Sequence, residues 1–105
     1  MPTGAQRLRT LDGHLNQIGP QLKARRKAWN LTQDNLCGQL AEVTGGLWTP
    51  QWRDIVRIER GTRIVSDLEI IALCQVLQCR AQDLLDERLS FREQESRTRA
   101  GPKSR

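Results

Sequence analysis

One ten-residue stretch decides the fold of this chain: residues 52–61 read WRDIVRIERG. Ile55 and Ile58 are three residues apart, so a helix places them on one face. Arg53 and Arg57 are four residues apart, so they lie one turn from each other on another face. The stretch therefore predicts a short helix that packs through its isoleucines and carries arginines on its outer side.

The flanking segments carry the signals of further helices. Thr32 has the side chain of an N-cap, and the apolar positions after it, such as Leu36 and Leu40, have helical spacing. Ser66 and Glu69 have the spacing of a capping box. We therefore expect one helix to begin just after Thr32 and another just after Ser66.

Other helix boundaries follow from residues with strong positional preferences. Asn16 is expected to cap the first helix, and Asn30, which tolerates a left-handed backbone, is expected to end it. Thr49 and Pro50 predict that the central helix has Thr49 as its N-cap and Pro50 as its first residue. The last helix is expected to run from residue 81 to about residue 95.

A loop is expected just before the central helix. Residues 44–48 read TGGLW, and the paired glycines interrupt the helical pattern. Trp48 is large and apolar, so we expect it to cover the core from this loop.

Length and composition favour one small domain with tails. A chain of 105 residues has room for one core of modest size. It has no secretory core and no apolar stretch of the roughly 18 residues that a membrane span requires, which predicts a soluble cytoplasmic protein. We expect a flexible basic arm over residues 1–15, a folded domain over residues 16–91 and a disordered basic tail over residues 92–105.

The charge of the chain is unevenly distributed. The formal net charge is +5, and positive side chains concentrate near both ends and on the central helix. Acidic side chains gather later, from Asp67 onward. This asymmetry favours a protein with one face that meets a polyanion, although ordinary solvated surface charge is the alternative.

The sequence holds no pattern that predicts catalysis. It lacks a glycine-rich phosphate loop followed by lysine and an HExxH motif, and its single histidine, His14, has no cysteine near it in sequence. The three cysteines lie at apolar helical positions, so we expect buried reduced thiols and no metal site. We therefore expect neither an enzyme nor a cofactor.

Several short pieces, taken in order, resemble the Cro–cI (Xre) family of helix-turn-helix regulators. They include LTQ at residues 31–33, IERG at residues 58–61 and DLL at residues 83–85, and the resemblance spans about residues 18–85. It implies an all-α, five-helix, lambda-repressor-like domain that binds double-stranded DNA and regulates transcription, most simply as a repressor. The chain departs from the family in an enlarged loop around residues 43–49, before the recognition helix, and in Arg25, where the family has an apolar residue.

The resemblance also implies roles for residues of the first two helices. Arg26 and Glu59 match a buried ion pair that links the first helix to the recognition helix, although Arg26 could instead contact a phosphate. Thr32 and Gln33 lie where the second helix of the family points its N-terminus at the DNA backbone. For Gln33, simple capping of the helix is the alternative.

The recognition helix supplies the candidates for contact with bases. The forks of Arg53 and Arg57 can each bond O6 and N7 of guanine together. Gln51 could bond N6 and N7 of adenine. Trp52 matches a family position near the DNA, although its spacing to Ile55 favours packing in the core.

Other polar residues are expected to contact DNA away from the bases. Arg60, Thr62 and Arg63 follow the recognition helix and would reach phosphates. Arg7 and Arg9 would enter an adjacent minor groove, or else form part of a solvated arm.

A helix this short buries little surface on DNA, so specific binding favours a homodimer with its two copies on adjacent half-sites. A DNA-binding protein is also expected to associate with the nucleoid. The candidate dimer seam consists of Leu84, Leu85, Leu89 and Phe91. The alternative function is that of an antitoxin, or of an adaptor in a phage, mobile element or defence system, whose domain mainly binds another protein. RNA binding by the tails is less favoured, because aromatic residues are scarce.

Overall fold

A computed structural model describes residues 8–91 of the chain. Five helices follow one another in that part: α1 (Gly19–Ala28), α2 (Gln33–Val43), α3 (Trp52–Arg60), α4 (Asp67–Leu77) and α5 (Ala81–Leu84). Within these residues there is no strand, and one isolated antiparallel bridge joins Thr10 and Phe91. The predicted all-α fold with about five helices is therefore confirmed.

The start of α1 is tied to the end of α3 by Asn16. The helix begins at Gly19, two residues later than an N-cap at Asn16 would give, so the predicted boundary is wrong. The Asn16 Oδ1 still accepts a hydrogen bond from the Gly19 N–H at 3.0 Å. Its amide nitrogen donates to the carbonyls of Ile58 and Arg63, and this long-range pairing holds Asn16 outside the helix.

The predicted boundary between α1 and α2 is confirmed. Asn30 has a φ of +57°, the left-handed conformation expected of it. Thr32 is the N-cap of α2, and its hydroxyl accepts from the Asn35 N–H at 2.9 Å. The Asn35 side chain accepts from the Thr32 N–H in return, which completes a capping box.

The loop before α3 is closed by its own side chains. The hydroxyl of Thr44 accepts from the Trp48 N–H at 3.0 Å and donates to the Leu40 carbonyl at 2.8 Å. Trp48 packs against the core, as expected from the sequence, whereas Leu47 is 93% exposed at the tip. Local hydrogen bonds and one aromatic contact therefore hold this enlarged loop in a defined shape.

The helix α3 begins two residues later than Thr49 and Pro50 predict. Gln51 is the N-cap in an extended conformation, Trp52 is the first helical residue, and Pro50 is buried before the helix. The Asp54 carboxylate accepts from the Gln51 N–H at 2.9 Å. Asp54 therefore satisfies the backbone N–H of Gln51 at the observed start of α3. Pro50 is buried before the helix and so does not serve as its first residue.

The capping box at the start of α4 is confirmed, because the Ser66 side chain accepts from the Glu69 N–H and the Glu69 side chain accepts from the Ser66 N–H.

The predicted last helix is too long, since α5 ends at Leu84 and Leu85 is extended. The chain then turns back, and the Ser90 carbonyl accepts from the Leu11 N–H at 3.1 Å. Pairing with the N-terminal segment replaces the rest of that helix.

Residues 8–15, which the sequence predicts to be part of a flexible arm, make backbone hydrogen bonds to the folded part of the chain. The Leu15 N–H donates to the Gly61 carbonyl at 2.7 Å, and the Thr10 N–H donates to the His14 carbonyl at 2.9 Å. These bonds join the segment to the end of α3 and to its own turn. The rest of the predicted arm, residues 1–7, and the predicted tail, residues 92–105, lie outside the described residues.

The core gathers one face of every helix. Its buried residues are Ile18, Leu22, Leu36, Cys37, Leu40, Ile55, Ile58, Ala72, Leu73, Cys74, Leu77 and Leu84. Burial raises the pKa of the Cys37 and Cys74 thiols to about 11, so both remain protonated at neutral pH. Within the described residues, no helix is long and apolar enough to cross a membrane.

Gly19 marks the closest approach of α1 to α3, and its replacement tests the packing of the two helices. A Cβ at this position would lie 2.5 Å from the Glu59 carbonyl oxygen and 2.7 Å from that of Ile58. Because both atoms belong to the backbone, we expect Gly19→Ala to lower the free energy of unfolding by about 1–3 kcal/mol. Urea denaturation followed by circular dichroism measures the change.

Gly38, in the middle of α2, is the matched control. A Cβ at this exposed position meets no atom within 4 Å. The variant Gly38→Ala should therefore raise the free energy of unfolding by roughly 0.5–1 kcal/mol, because alanine favours the helix. Equal effects of the two substitutions would contradict the packing described for α1 and α3.

Candidate nucleic-acid interface

The helix α3 has an apolar face in the core and a polar face in solvent. Ile55 and Ile58 have no exposed surface, whereas Arg53 and Arg57 are exposed. The Arg57 side chain is 58% exposed, and its guanidinium lies 3.7 Å from the Asp54 carboxylate, a loose pair between helix positions three residues apart. Both arginines therefore project from a helix that is held from behind.

The beginning of α3 carries two further exposed side chains. Gln51 is exposed as the N-cap, and Trp52 is 48% exposed and lies outside the core. The Arg53 guanidinium carbon lies 5.6 Å from the centroid of the Trp52 ring, in the range of a cation–π contact. The packing of Trp52 in the core, which its spacing favours, is therefore not found.

A buried ion pair lies behind α3. The Arg26 Nε donates to the Glu59 Oε2 at 2.6 Å, and its Nη2 donates to the Oε1 at 3.2 Å. The third nitrogen of the guanidinium, Nη1, donates to the Leu31 carbonyl at 2.8 Å. The two side chains are only 9% and 5% exposed. The guanidinium of Arg26, which belongs to α1, thus binds both to α3 and to the turn that precedes α2.

Gln33 completes this buried network. Its Nε2 donates to the Glu59 Oε1 at 3.1 Å, so the amide nitrogen already has an intramolecular partner. The family resemblance implies that Gln33 contacts the DNA backbone, with capping of the helix as the alternative. Neither expectation includes the observed contact with Glu59. The contact joins residues 26 apart, so no local pattern could have indicated it.

The connector after α3 contains a second ion pair. The Arg63 guanidinium donates to the two carboxylate oxygens of Glu69 at 2.9 and 3.0 Å. This shared hydrogen bond raises the pKa of Arg63 and lowers the pKa of the Glu69 carboxyl. Arg60 and Thr62 are exposed, and Arg60 has no ion-pair partner among residues 8–91.

Two solved structures share this arrangement of helices. One is the restriction-modification controller protein C.AhdI from Aeromonas hydrophila, with a TM-score of 0.51 and 28% identity over 68% of this chain and 96% of that chain. The other is the DNA-binding domain of BldD, with a TM-score of 0.53 and 25% identity over 70% of this chain and 94% of that chain. This protein has a helix-turn-helix fold. The predicted resemblance to helix-turn-helix regulators is thereby confirmed.

No protein-family model matches the chain, and no curated protein sequence matches it. The similarity therefore rests on the arrangement of the helices together with modest sequence identity. In this helix-turn-helix domain α2 and α3 form the paired helices, and residues 44–51 are the connection between them.

Leu84 was expected in the candidate dimer seam of the helix-turn-helix domain, but it is buried. It is 2% exposed and lies in the core, because α5 packs against α1 and α4. Leu85 and Phe91 are 41% and 56% exposed, and Leu89 is half-buried. The candidate seam therefore loses one of its four residues.

The His14 side chain lies against Gly61, at the C-terminal end of α3, and the sequence did not indicate this contact. Its ring is so close to Gly61 that a Cβ there would lie 2.6 Å from the His14 Cγ. Gly61 has a φ of +79°, which favours glycine, as expected at the end of a helix. Arg9 donates to the Gly13 carbonyl at 3.1 Å, and Arg7 lies outside the described residues.

The helix-turn-helix domain depends on the buried pair of Arg26 and Glu59. We expect Glu59→Ala to lower the free energy of unfolding by about 3–5 kcal/mol, because it leaves a buried guanidinium without its carboxylate. Urea denaturation measures the loss. The double variant Arg26→Met/Glu59→Ala should lose less than the single variant, since it buries no unpaired charge. A single variant as stable as the wild type would contradict this role.

The pair of Arg63 and Glu69 predicts an acid-sensitive contribution to stability. Because the folded pKa of Glu69 is below its ordinary value of 4.5, the contribution is present above that pH and is lost as the pH falls through the folded pKa. The variant Glu69→Gln should be less stable than the wild type by about 1 kcal/mol at pH 7. The difference should shrink during acid titration of the unfolding free energy, and a constant difference would contradict this.

Proposed function

We propose that this protein binds double-stranded DNA at specific sequences and regulates transcription, with α3 as the recognition helix in the major groove. The observation that carries the proposal is the exposure of Arg53 and Arg57 on a helix whose opposite face is fully buried. A helix fits the width of the major groove, and arginine forks match the edge of guanine.

The two similar structures support DNA as the ligand. One is named as a DNA-binding domain and the other as a controller of a restriction-modification system. The net charge of +5 favours association with a polyanion, because positive charge attracts phosphates and releases their counterions. Both observations favour nucleic acid over a neutral partner.

Contacts with DNA divide into base readers and backbone anchors. We propose that Arg53 and Arg57 read guanines, with Gln51 and Trp52 next to them at the start of the helix. The backbone anchors are Thr32, Gln33, Arg60, Thr62 and Arg63, and the minor-groove contacts are Arg7 and Arg9. Arg60 is the best placed of the anchors, since it is exposed whereas Arg63 is held by Glu69.

The oligomeric state, the location and the mode of regulation follow from binding to DNA. We propose a homodimer in the cytoplasm, associated with the nucleoid, that acts as a repressor through binding alone, without catalysis or a cofactor. A protein that blocks RNA polymerase by occupying a promoter represses transcription without catalysing a reaction. Two copies would double the length of sequence that is read.

A second candidate is an antitoxin, or an adaptor in a phage, mobile element or defence system, whose helix-turn-helix domain mainly binds another protein. The similarity to a restriction-modification controller protein favours the setting in a defence system. A second protein that co-purifies in fixed stoichiometry would support this candidate.

Selection of duplexes from a random library tests the proposed function. The full chain is mixed with the library, bound duplexes are amplified over several rounds, and the enriched sequence is checked by footprinting. We expect one short motif to be enriched and protected. A library that stays random after selection, with equal affinity for all duplexes, would reject sequence-specific binding.

The roles of Arg57 and Arg60 can be separated on the selected duplex. We expect Arg57→Ala to weaken specific binding by roughly 1–3 kcal/mol and to relax the preference at one base pair. We expect Arg60→Ala to weaken binding to all duplexes alike and to flatten the dependence on salt, because it removes a phosphate contact. Fluorescence titrations at several salt concentrations measure both.

Each variant is the control for the other, since both arginines are exposed on the same helix. Loss of affinity for only one sequence in Arg60→Ala would contradict its role as a backbone anchor. Unchanged affinity and base preference in Arg57→Ala would contradict its role as a base reader.

A further inference from the structure

Two of the three cysteines lie at the C-terminal end of α4. Cys74 belongs to the last turn of the helix and is 9% exposed, whereas Cys79 is half-buried just after the helix. The sequence predicts that all three thiols are buried, so Cys79 departs from that prediction. Of this pair, Cys79 is therefore the residue nearer to solvent.

The way in which α4 ends brings these two residues together. Gln78 has a φ of +54°, a left-handed conformation, and the chain folds back over the last turn of the helix there. The Cys79 N–H then donates to the Cys74 carbonyl at 3.1 Å. This is the six-to-one hydrogen bond of a Schellman motif, in which the side chains of the donor and acceptor residues are commonly in contact.

The two backbones are close enough for a disulfide, which requires Cα atoms no more than about 7 Å apart. The hydrogen bond of 3.1 Å keeps the two Cα atoms within about that distance, because only three covalent bonds separate them from the bonded nitrogen and oxygen. The Cys74 thiol is also within hydrogen-bonding reach of the Cys79 thiol, and Cys79 packs against the core. The two sulfur atoms are thus neighbours in the folded chain.

We propose that Cys74 and Cys79 are a redox-sensitive thiol pair that a small-molecule disulfide, such as oxidised glutathione, converts to an internal disulfide. The bridge closes a short ring over residues 74–79. The proposal is independent of DNA binding, because neither cysteine belongs to the contacts proposed for DNA. In the cytoplasm proposed for this protein, disulfides are usually transient and have catalytic or redox-sensing roles.

The bridge forms in two thiol–disulfide exchanges. The Cys79 thiolate attacks one sulfur of the small disulfide, which forms a mixed disulfide and releases one small-molecule thiolate. The Cys74 sulfur, after loss of its proton, then attacks the Cys79 Sγ and releases the second small-molecule thiolate. The two cysteine sulfurs lose two electrons, the small disulfide gains them, and both thiol protons pass to the released thiolates.

The order of the two exchanges follows from burial. Burial and the neighbouring Cys79 thiol raise the pKa of Cys74 to about 11, so its thiolate is scarce at neutral pH. Two charged side chains also face Cys74, and Asp83 raises its pKa further whereas Arg25 lowers it. A scarce thiolate in the core does not capture a reagent from solution, but it can attack a sulfur that is held next to it.

A bridge at this place ties the end of α4 to the start of α5. Arg80, the next residue, is the N-cap of α5, and α5 carries the buried Leu84 and packs against α1. The bridge restricts the unfolded chain, so it stabilises the fold. By the same linkage, folding should favour the oxidised form of the pair over the reduced form.

Tryptic mapping tests the proposal, because trypsin separates this pair from the third cysteine. Cleavage after arginine and lysine gives one peptide of residues 64–80, with Cys74 and Cys79, and another of residues 28–53, with Cys37. The full chain is equilibrated with mixtures of reduced and oxidised glutathione, either folded or unfolded in urea. Free thiols are then blocked with N-ethylmaleimide, and mass spectrometry identifies the state of each peptide.

We expect the 64–80 peptide of the folded protein to lose two hydrogens and to take up no blocking reagent, while the 28–53 peptide stays blocked. The equilibrium constant for the bridge should be larger in the folded chain than in urea by roughly tenfold or more, because the fold holds the two sulfurs together. Equal constants, an absence of oxidation, glutathione adducts without a bridge, or bridges between two chains would overturn the inference.

Two alanine variants complete the test through thermal unfolding with reduced or oxidised glutathione. Oxidation should raise the midpoint of the wild type by several degrees. Cys37→Ala, the matched control in α2, should keep this rise, whereas Cys79→Ala should lack both the rise and the bridge. A rise that persists in Cys79→Ala, or a wild-type midpoint that oxidation does not raise, would also overturn the inference.

Discussion

The buried ion pair of Arg26 and Glu59 is the constraint on which the arrangement of the helices depends. The guanidinium uses three nitrogens to hold the Glu59 carboxylate and the Leu31 carbonyl, and Gln33 adds a third hydrogen bond to Glu59. Removal of one charge would leave the other buried without a partner. The pair thus fixes the height and rotation of α3, and with them the direction in which the arginines of α3 project.

The sequence predicts the helix starts at Thr32 and Ser66 because a side chain hydrogen-bonds the backbone three residues away. The start of α3 was predicted wrongly, since Thr49 and Pro50 form an equally local signal that burial of Pro50 overrides. The last helix was predicted too long for a related reason, because the segment after Leu84 pairs with residues 10 and 11 instead of continuing the helix. Local rules fail where a distant segment offers another partner.

The candidate site was predictable to a similar extent. The spacing of Arg53 and Arg57 relative to Ile55 and Ile58 predicts which face is exposed, and the structure agrees. The partners of Gln33 and Arg63, and the cation–π contact of Trp52, depend on side-chain positions that spacing does not give. Asn16 was recognised as a capping residue, but its bonds to Ile58 and Arg63 span more than 40 residues.

The closed loop between α2 and α3 has a practical consequence. The Trp48 N–H donates to the Thr44 hydroxyl and the Trp48 side chain packs against the core, so residues 45–47 form a tip that is closed off from the start of α3. The tip at Gly45, Gly46 and Leu47 is exposed, so we expect that longer insertions or a fluorescent label can be attached there without displacing the helix. Variation in the length of this connection is therefore compatible with an unchanged orientation of the helix that follows it.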